Sequence, residues 1–130
     1  MKKEITLLVV DDDSEQINIL IKCLNTYANI TQYFEANNGK QALEIIKHQD
    51  NIDLVISDIQ MPELTGIELL KEIKNIRPQL PVLLVTGNYA YTKEYVKEHG
   101  GYDLLYKPYS LNKLVQLIRS AIMMSDFNSC

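Results

Sequence analysis

The chain has 130 residues, the length of one domain and hardly of two. It is 46% hydrophobic and 23% charged, as expected for a globular protein with a real core, and its net charge is −4. The negative charge argues against nucleic-acid binding, which needs a basic face, and the apolar runs are too short to cross a membrane. Cys23 and Cys130 form no metal-binding spacing and no disulfide framework, and no signal peptide precedes the first strand. We therefore expect a cytoplasmic protein with reduced cysteines, Cys23 being a small core or boundary residue.

The first half of the chain alternates between predicted strands and helices. Residues 5–10 are a continuous apolar run rich in β-branched residues, which predicts a buried strand. Residues 14–27 carry apolar side chains at helical spacing. A weakly alternating strand is predicted over 30–36, and a turn over 37–39 leads into a helix over 40–48.

The third predicted strand is a short apolar run, 54–56, that delivers the carboxylate of Asp58 to its end. Pro62 keeps the residue before it extended, and Gly66 is expected to allow a backbone turn before a helix over 66–75. A carboxylate in this place could bind a metal, act as a base or accept a group as a nucleophile. It could also merely cap a turn, and this stretch alone leaves both interpretations open.

The second half of the chain continues the alternation. The predicted elements are a strand over 82–85, a polar helix over 89–99, a strand over 102–106 and a helix from 110 to 122. Ser110 is the expected cap of the last helix. We expect a single domain over 1–124 and a flexible polar tail over 125–130. Five strands alternating with five helices predict a parallel sheet covered on both faces, with ligands bound at the carboxyl ends of the strands.

Chemically active residues follow the predicted strands. They are Asp11, Asp12, Asp58, Thr86 and Lys107. Like-charged carboxylates about 4 Å apart repel by roughly 4 kcal/mol at an effective dielectric of about 20, so a cation is expected among them. Mg²⁺ fits, because it prefers oxygen ligands and binds through carboxylates and phosphate oxygens. Together with the hydroxyl and the amine, such a site could hold a phosphoryl group, with Asp58 as its acceptor.

Several stretches together resemble a response-regulator receiver domain, the flavodoxin-like module of two-component signalling. They are residues 7–12, 38–43, 53–62, 85–87 and 107–108. Each motif alone is weak, but five occur in the right order, and the resemblance covers residues 5–122. It implies a doubly wound α/β fold whose five parallel strands lie in the order 2-1-3-4-5.

The resemblance implies a role for each acidic residue of the site. Asp58 matches the phosphoacceptor, Asp12 the direct Mg²⁺ ligand, and Asp11 the acid that acts through metal-bound water. Asp13 is assigned the role of helix cap, although the triple Asp leaves the register of the acidic pair open. Gln60 stands where the family commonly offers a backbone carbonyl to the metal.

The resemblance also implies a switch. Thr86 matches the hydroxyl that moves to the phosphoryl group, and Lys107 matches the lysine that pairs with it, with a cis Lys107–Pro108 bond. Gly87 would leave the site open. The family's switch aromatic lies three residues before the lysine, and this chain has Leu104 there, with aromatics at Tyr102 and Tyr106 instead. The usual coupling between threonine and aromatic is therefore in question.

The function expected from these residues is that of a signalling switch. A histidine kinase or phosphotransfer protein would phosphorylate Asp58, and only weak self-phosphorylation and self-dephosphorylation would accompany this. A phosphatase with an Asp nucleophile would want an acid where Gln60 stands, and a nucleotide-binding module would need a Gly-rich loop after the first strand. The remaining alternative is a receiver-like module that binds partners without phosphorylation.

The last expectations concern partners and surfaces. Tyr91, Tyr95 and Leu104 could form an exposed apolar patch that meets an output domain or partner, or could partly cover the core. His48 and His99 are expected near helix carboxyl ends as solvated partners of the helix dipole. We expect a monomer or a weak phosphorylation-dependent dimer, either a single-domain regulator or part of a longer protein.

Overall fold

The protein is described here by a computed structural model that covers residues 4–27 and 29–129. Strands and helices alternate strictly along this part of the chain. They are β1 (Ile5–Val10), α1 (Ser14–Leu24), β2 (Ile30–Ala36), α2 (Gly39–His48), β3 (Leu54–Asp58), α3 (Gly66–Ile76), β4 (Val82–Thr86), α4 (Lys93–Glu98), β5 (Asp103–Tyr106) and α5 (Leu111–Ser129). Among these residues, no helix combines the length and the apolar character that crossing a membrane requires.

The five strands form one parallel sheet in the order β2-β1-β3-β4-β5, which confirms the predicted doubly wound fold. Val10 pairs with Ser57, Asp58 with Val85, and Thr86 with Tyr106. Because the strands are parallel and in this register, their carboxyl ends lie along one edge of the sheet. That edge carries the polar residues singled out in the sequence.

The sheet separates two hydrophobic clusters, and alternate residues of each strand face opposite clusters. Leu8, Val55 and Leu84 belong to the cluster that contains buried residues of α2, α3 and α4. Their neighbours Leu7, Leu54 and Leu83 belong to the cluster covered by α1 and α5. Burial of each such side chain stabilises the fold by about 1.5–3 kcal/mol. This explains why the central strands are apolar without alternation.

Polar side chains cap the helices close to the predicted starts. Asp13 Oδ1 accepts a hydrogen bond of 3.0 Å from the Glu15 amide, as expected for the cap of α1. Ser110 Oγ likewise accepts a bond of 3.1 Å from Lys113 at the start of α5. Capping orients the first turn of each helix and stabilises it by about 1 kcal/mol.

Three helix boundaries differ from the prediction by more than one residue. α1 ends at Leu24 rather than at residue 27, and α4 begins at Lys93 rather than at residue 89. Thr92 caps α4, after a turn in which Asn88 accepts bonds from the Ala90 and Tyr91 amides. α5 continues to Ser129, past the predicted helix end at residue 122 and into the stretch 125–130 that was expected to be a tail, of which Cys130 lies outside the described residues. No Gly or Pro interrupts that helix.

Two further expectations need correction. Cys23 is exposed on α1 and is not a core residue. Gly66 is not the residue that turns the backbone before α3, because the left-handed residue of that segment is Glu63, with a φ of 68°. A Cβ at position 66 would lie 2.4 Å from the Asp58 carbonyl oxygen. Gly66 therefore permits the start of α3 to approach the end of β3.

Candidate functional site

Three carboxylates converge at the carboxyl edge of the sheet. Asp11 and Asp12 directly follow β1, and Asp58 is the last residue of the neighbouring β3. One carboxylate oxygen from each lies within 4.8 Å of the other two. Asp11 is almost buried, with 9% of its surface exposed, whereas Asp12 is exposed. The structure thus brings together the three acids that the sequence analysis selected.

Lys107 adds a positive charge to this cluster. It directly follows β5, and its Nζ lies 3.5 Å from Asp58 Oδ2 and 3.9 Å from Asp11 Oδ2. Its backbone amide donates a hydrogen bond of 2.8 Å to the Thr86 carbonyl, which fixes the point where the lysine leaves the sheet. The Lys107–Pro108 peptide bond is cis, as the family resemblance implied.

The electrostatics of the cluster favour another cation. Burial raises the pKa of the Asp11 carboxyl, and the charges of Asp58 and Asp12 raise it further. A hydrogen bond of 3.0 Å from the Asp13 amide and the nearby Lys107 act in the opposite direction. Since burial remains the largest influence, Asp11 is held at an energetic disadvantage in its charged form. A cation bound to these oxygens would relieve that disadvantage.

The free space beside the acids is small. A cavity of about 30 Å³ is lined by Asp11, Asp58 and Lys107 together with Gln16 of α1 and Tyr109. This volume holds a water molecule or an ion, whereas pockets for metabolites measure about 300–1,000 Å³. The cluster therefore suits an ion and a small group that arrives from outside the protein.

Thr86, the last residue of β4, lies fully buried. Its Oγ1 accepts a hydrogen bond of 3.0 Å from the Asn88 amide, and no hydrogen bond to Asp58 is found among the described residues. A Cβ at Gly87 would meet no atom within 4 Å, so this side of the site is open, as expected. Gln60 is exposed in the segment that follows β3.

The expected apolar patch is only partly present. Leu104 is fully buried in the cluster that also contains Val96, so this residue follows the second of the two interpretations left open, that it covers the core. Tyr95 is 39% exposed and Tyr91 is half-buried, with ring centroids 6.4 Å apart. Leu104 is buried because the short helix α4 packs directly over β5, a tertiary contact that local periodicity does not show.

Both histidines lie at helix carboxyl ends. His48 is in the last turn of α2, with Nδ1 2.8 Å from the Glu44 carbonyl oxygen. His99 caps the carboxyl end of α4, with Nδ1 2.8 Å from the Tyr95 carbonyl oxygen. His48 is exposed and His99 is half-buried. Both positions agree with the prediction of helix-end residues outside the site.

One functional candidate was missed in the sequence. The Tyr106 hydroxyl donates a hydrogen bond of 2.5 Å to the Tyr91 carbonyl, and its ring lies 5.1 Å from that of Tyr89. In the sequence, Tyr106 stands out only as an aromatic near position 104. The sequence feature that could have pointed to Tyr106 is the pair of tyrosines, Tyr89 and Tyr91, shortly after Thr86, because they are possible contacts for an aromatic on the neighbouring strand.

Comparison with known proteins agrees with this geometry. The family profile described as "Response regulator receiver domain" matches residues 7–119. The transcriptional regulatory protein ZraR of Klebsiella oxytoca is 38% identical over 122 residues, which cover 92% of this chain and 27% of that protein. The DNA-binding transcriptional regulator NtrC of Escherichia coli (strain K12) is 36% identical over 117 residues, covering 88% and 24%. The chain thus spans about a quarter of the length of these relatives.

Solved structures share the whole fold. A response regulator receiver domain protein from Clostridium thermocellum superimposes with a TM-score of 0.88 at 29% identity, covering 95% of this chain and 98% of that one. The receiver domain of the Francisella response regulator 1452 superimposes with a TM-score of 0.84 at 27% identity, covering 94% of this chain and 99% of that one. From its fold, its acidic cluster with Lys107 and the matched family profile, the chain belongs to the response regulator receiver domains of two-component signalling.

Proposed function

We propose that Asp58 accepts a phosphoryl group from the phosphohistidine of a sensor histidine kinase or of a histidine phosphotransfer protein. The observation that carries this proposal is the convergence of three carboxylates and the Lys107 amine on one small site, with Nζ 3.5 Å from Asp58 Oδ2. Asp58 lies at the end of a buried strand, so its carboxylate is held in place before the donor arrives. Phosphoryl transfer needs little beyond such positioning and charge neutralisation.

The acidic cluster fits Mg²⁺. One carboxylate oxygen of each of the three acids lies within 4.8 Å of the other two, and carboxylate oxygens are ligands that this ion prefers. The residues that would hold it are Asp11, Asp12, Asp58 and, through its backbone carbonyl, Gln60. Asp12 would be a direct ligand, and Asp11 would act through metal-bound water. When bound, Mg²⁺ neutralises negative charge on the carboxylates and on the phosphoryl oxygens.

The protein's own residues divide the reaction between them. An oxygen of Asp58 attacks phosphorus in line with the P–N bond of the phosphohistidine. A P–O bond forms, the P–N bond breaks, and the released imidazole takes a proton from solvent. Lys107 then pairs with a phosphoryl oxygen of the acyl phosphate, and the Thr86 hydroxyl donates to another. Later attack by water releases phosphate and restores the carboxylate.

The consequence of phosphorylation is a shift between two conformations. The added charge favours the arrangement in which Thr86 and Lys107 both contact the phosphoryl group. That arrangement would control an output, which fits the two relatives ZraR and NtrC, both transcriptional regulators by name. We infer a cytoplasmic signalling domain that makes no direct nucleic-acid contact and acts as a monomer or as a weak phosphorylation-dependent dimer. Residues 1–124 would form the domain, with α5 extending beyond it.

The test is the intact mass of the protein after incubation with acetyl phosphate and Mg²⁺. We expect one phosphoryl adduct, which is absent in Asp58→Asn and in a sample treated with EDTA. Asp13→Asn is the matched control, because Asn also caps helices and the change lies outside the cluster of three acids. This variant should be labelled as the wild type is.

Failure to label has two distinguishable forms. If Mg²⁺ binds but acetyl phosphate leaves no adduct, a purified histidine kinase loaded with phosphate should still label Asp58. If neither Mg²⁺ nor the kinase acts on the protein, the proposal is wrong, and the chain is a receiver-like module that binds partners without phosphorylation.

A further inference from the structure

Tyr106 contacts the segment between β4 and α4, residues 87–92, at two places. Its hydroxyl donates a hydrogen bond of 2.5 Å to the Tyr91 carbonyl, near the end of the segment. Its ring lies 5.1 Å from the ring of Tyr89, in the middle of the segment. Tyr106 is half-buried and packs against the core cluster beneath α4, so it is a fixed support for these contacts.

The same segment also holds the Thr86 hydroxyl. Thr86 pairs with Tyr106 in the sheet, and its Oγ1 accepts a hydrogen bond of 3.0 Å from the Asn88 amide. The Asn88 side chain in turn accepts a bond of 2.9 Å from the Ala90 amide. The orientation of the Thr86 hydroxyl and the shape of the segment are therefore linked. A rotation of the Thr86 side chain that carried Oγ1 towards a phosphoryl group on Asp58 would break the bond from the Asn88 amide and so disturb the segment.

The side chain at position 104 cannot replace Tyr106 as the contact between β5 and residues 87–92. Leu104 is fully buried and has no polar atom in its side chain, so it cannot form a hydrogen bond with the segment. Tyr102 directs its hydroxyl to Ser120 of α5, away from residues 87–92. Among the described β5 side chains, Tyr106 has the hydroxyl that reaches the segment after Thr86.

We propose that Tyr106 is a positioning residue for phosphoryl binding at Asp58. Its hydrogen bond to Tyr91 holds residues 87–92 in the arrangement in which Thr86 Oγ1 accepts the bond from the Asn88 amide. This bond belongs to the unphosphorylated state and breaks when Thr86 contacts the phosphoryl group. The inference rests on the proposed function, since it says that the Tyr106–Tyr91 hydrogen bond opposes the movement of Thr86 that phosphoryl binding requires.

The test measures the affinity of the Mg²⁺-loaded protein for beryllium fluoride, a mimic of the phosphoryl group, by amide NMR titration. Tyr106→Phe keeps the ring and its contact with Tyr89 but removes the hydroxyl. We expect about fivefold tighter binding, because a hydrogen bond of ordinary strength no longer opposes the movement. Tyr102→Phe is the matched control: it removes a hydroxyl next to the same strand and should leave the affinity unchanged.

A second variant separates positioning from a general effect on the fold. In a Thr86→Val background, which keeps the shape of the side chain but lacks the hydroxyl, Tyr106→Phe should give no gain in affinity. A gain that persists there would overturn the inference, as would unchanged or weaker binding in Tyr106→Phe. An equal gain in Tyr102→Phe would overturn it as well.

The wild type supplies an independent measurement that does not depend on any variant folding. On addition of beryllium fluoride, the amide resonances of Asn88 and Ala90 should shift strongly, since their hydrogen bonds rearrange. Saturable binding with both resonances unmoved would overturn the inference and leave the proposed function intact. Absence of any binding to the wild type would overturn both.

Discussion

Lys107 and Asp58 form an ion pair that spans the end of the strand between them. Asp58 ends β3, Lys107 follows β5, and β4 lies between these strands, yet Nζ and Oδ2 are 3.5 Å apart. The Lys107 ammonium group therefore neutralises part of the negative charge of the carboxylates from one side of the cluster. Any second cation that binds the acids shares this field with the ammonium group.

Replacement of this lysine should strengthen Mg²⁺ binding while it weakens phosphoryl transfer. In Lys107→Met, calorimetric titration should give tighter Mg²⁺ binding, because the competing ammonium is gone. The metal-free protein should lose only about 1 kcal/mol of unfolding free energy, since the ion pair is partly solvated. Labelling by acetyl phosphate should fall at least about tenfold.

A second lysine provides the control for that variant. Lys93→Met removes an ammonium that lies 3.8 Å from Asp103, away from the acidic cluster. Its Mg²⁺ affinity should equal that of the wild type. Equal changes in the two variants would mean that net charge, rather than the contact with Asp58, governs metal binding.

Asp11→Asn should stabilise the metal-free protein at neutral pH. The pKa of the Asp11 carboxyl is raised above 3.8 in the folded state, chiefly by burial, so the unfolded chain ionises first as the pH rises. The contribution of this carboxyl to the wild-type free energy of unfolding is therefore greatest below about pH 3.8, and it is lost as the pH rises through the pKa of the folded state. The variant lacks this loss.

Thermal unfolding in EDTA between about pH 4 and 8 checks this sign. The difference in Tm between Asp11→Asn and the wild type should be smallest at the acid end and should increase towards neutral pH. A constant difference across the range would contradict the expected origin in ionisation.

Two glycine substitutions should differ sharply in their effect. Gly66→Ala places a Cβ 2.4 Å from the Asp58 carbonyl oxygen, and should reduce the free energy of unfolding by about 2–3 kcal/mol. Gly87→Ala meets no neighbouring atom, and its backbone is not left-handed, so it should change stability by less than about 1 kcal/mol. Urea unfolding measures both values.

Leu104 should behave as a core residue. Leu104→Ala should cost about 3 kcal/mol of unfolding free energy, because the side chain is fully buried and leaves a cavity. Leu104→Tyr, which restores the usual family aromatic, should also destabilise the protein, by about 1–3 kcal/mol, because it overpacks the core.

Tyr95 lies near Leu104 in the fold but is exposed, so its replacement serves as the comparison for the loss of unfolding free energy in Leu104→Ala. Tyr95→Ala should cost less than about 1 kcal/mol. A small loss in Leu104→Ala, similar to that in Tyr95→Ala, would show that position 104 is accessible in solution.

The sheet and the acidic site could be predicted from the sequence because their signals are local. The apolar runs that become β1, β3 and β4 each end at a carboxylate or a hydroxyl, and parallel strands bring such ends to one edge. The site can be predicted without knowledge of side-chain packing, because the backbone alone brings Asp11, Asp58 and Lys107 to the same place.

The parts that sequence reasoning missed depend on tertiary contacts. Position 104 looks like any strand residue, and its burial follows from the packing of α4 over β5. The late start of α4 follows from the bonds made by Asn88 and Thr92, which compete with helix formation over residues 89–92. The role of Gly66 is set by an atom of another element, the Asp58 carbonyl oxygen.

The close contact between Gly66 and Asp58 has a consequence for sequence drift in relatives of this protein. The segment after β3 is fixed chiefly by main chain, since the Gly66 amide donates a bond of 2.8 Å to the Ile59 carbonyl; side chains add only the capping box of Thr65 and Glu68 at the start of α3. The segment after β4 is held by side chains that can be exchanged singly. Mutations in residues 63–66 should therefore alter how much protein accumulates, whereas mutations in residues 87–92 should retune the amplitude of the response in a protein that still accumulates normally.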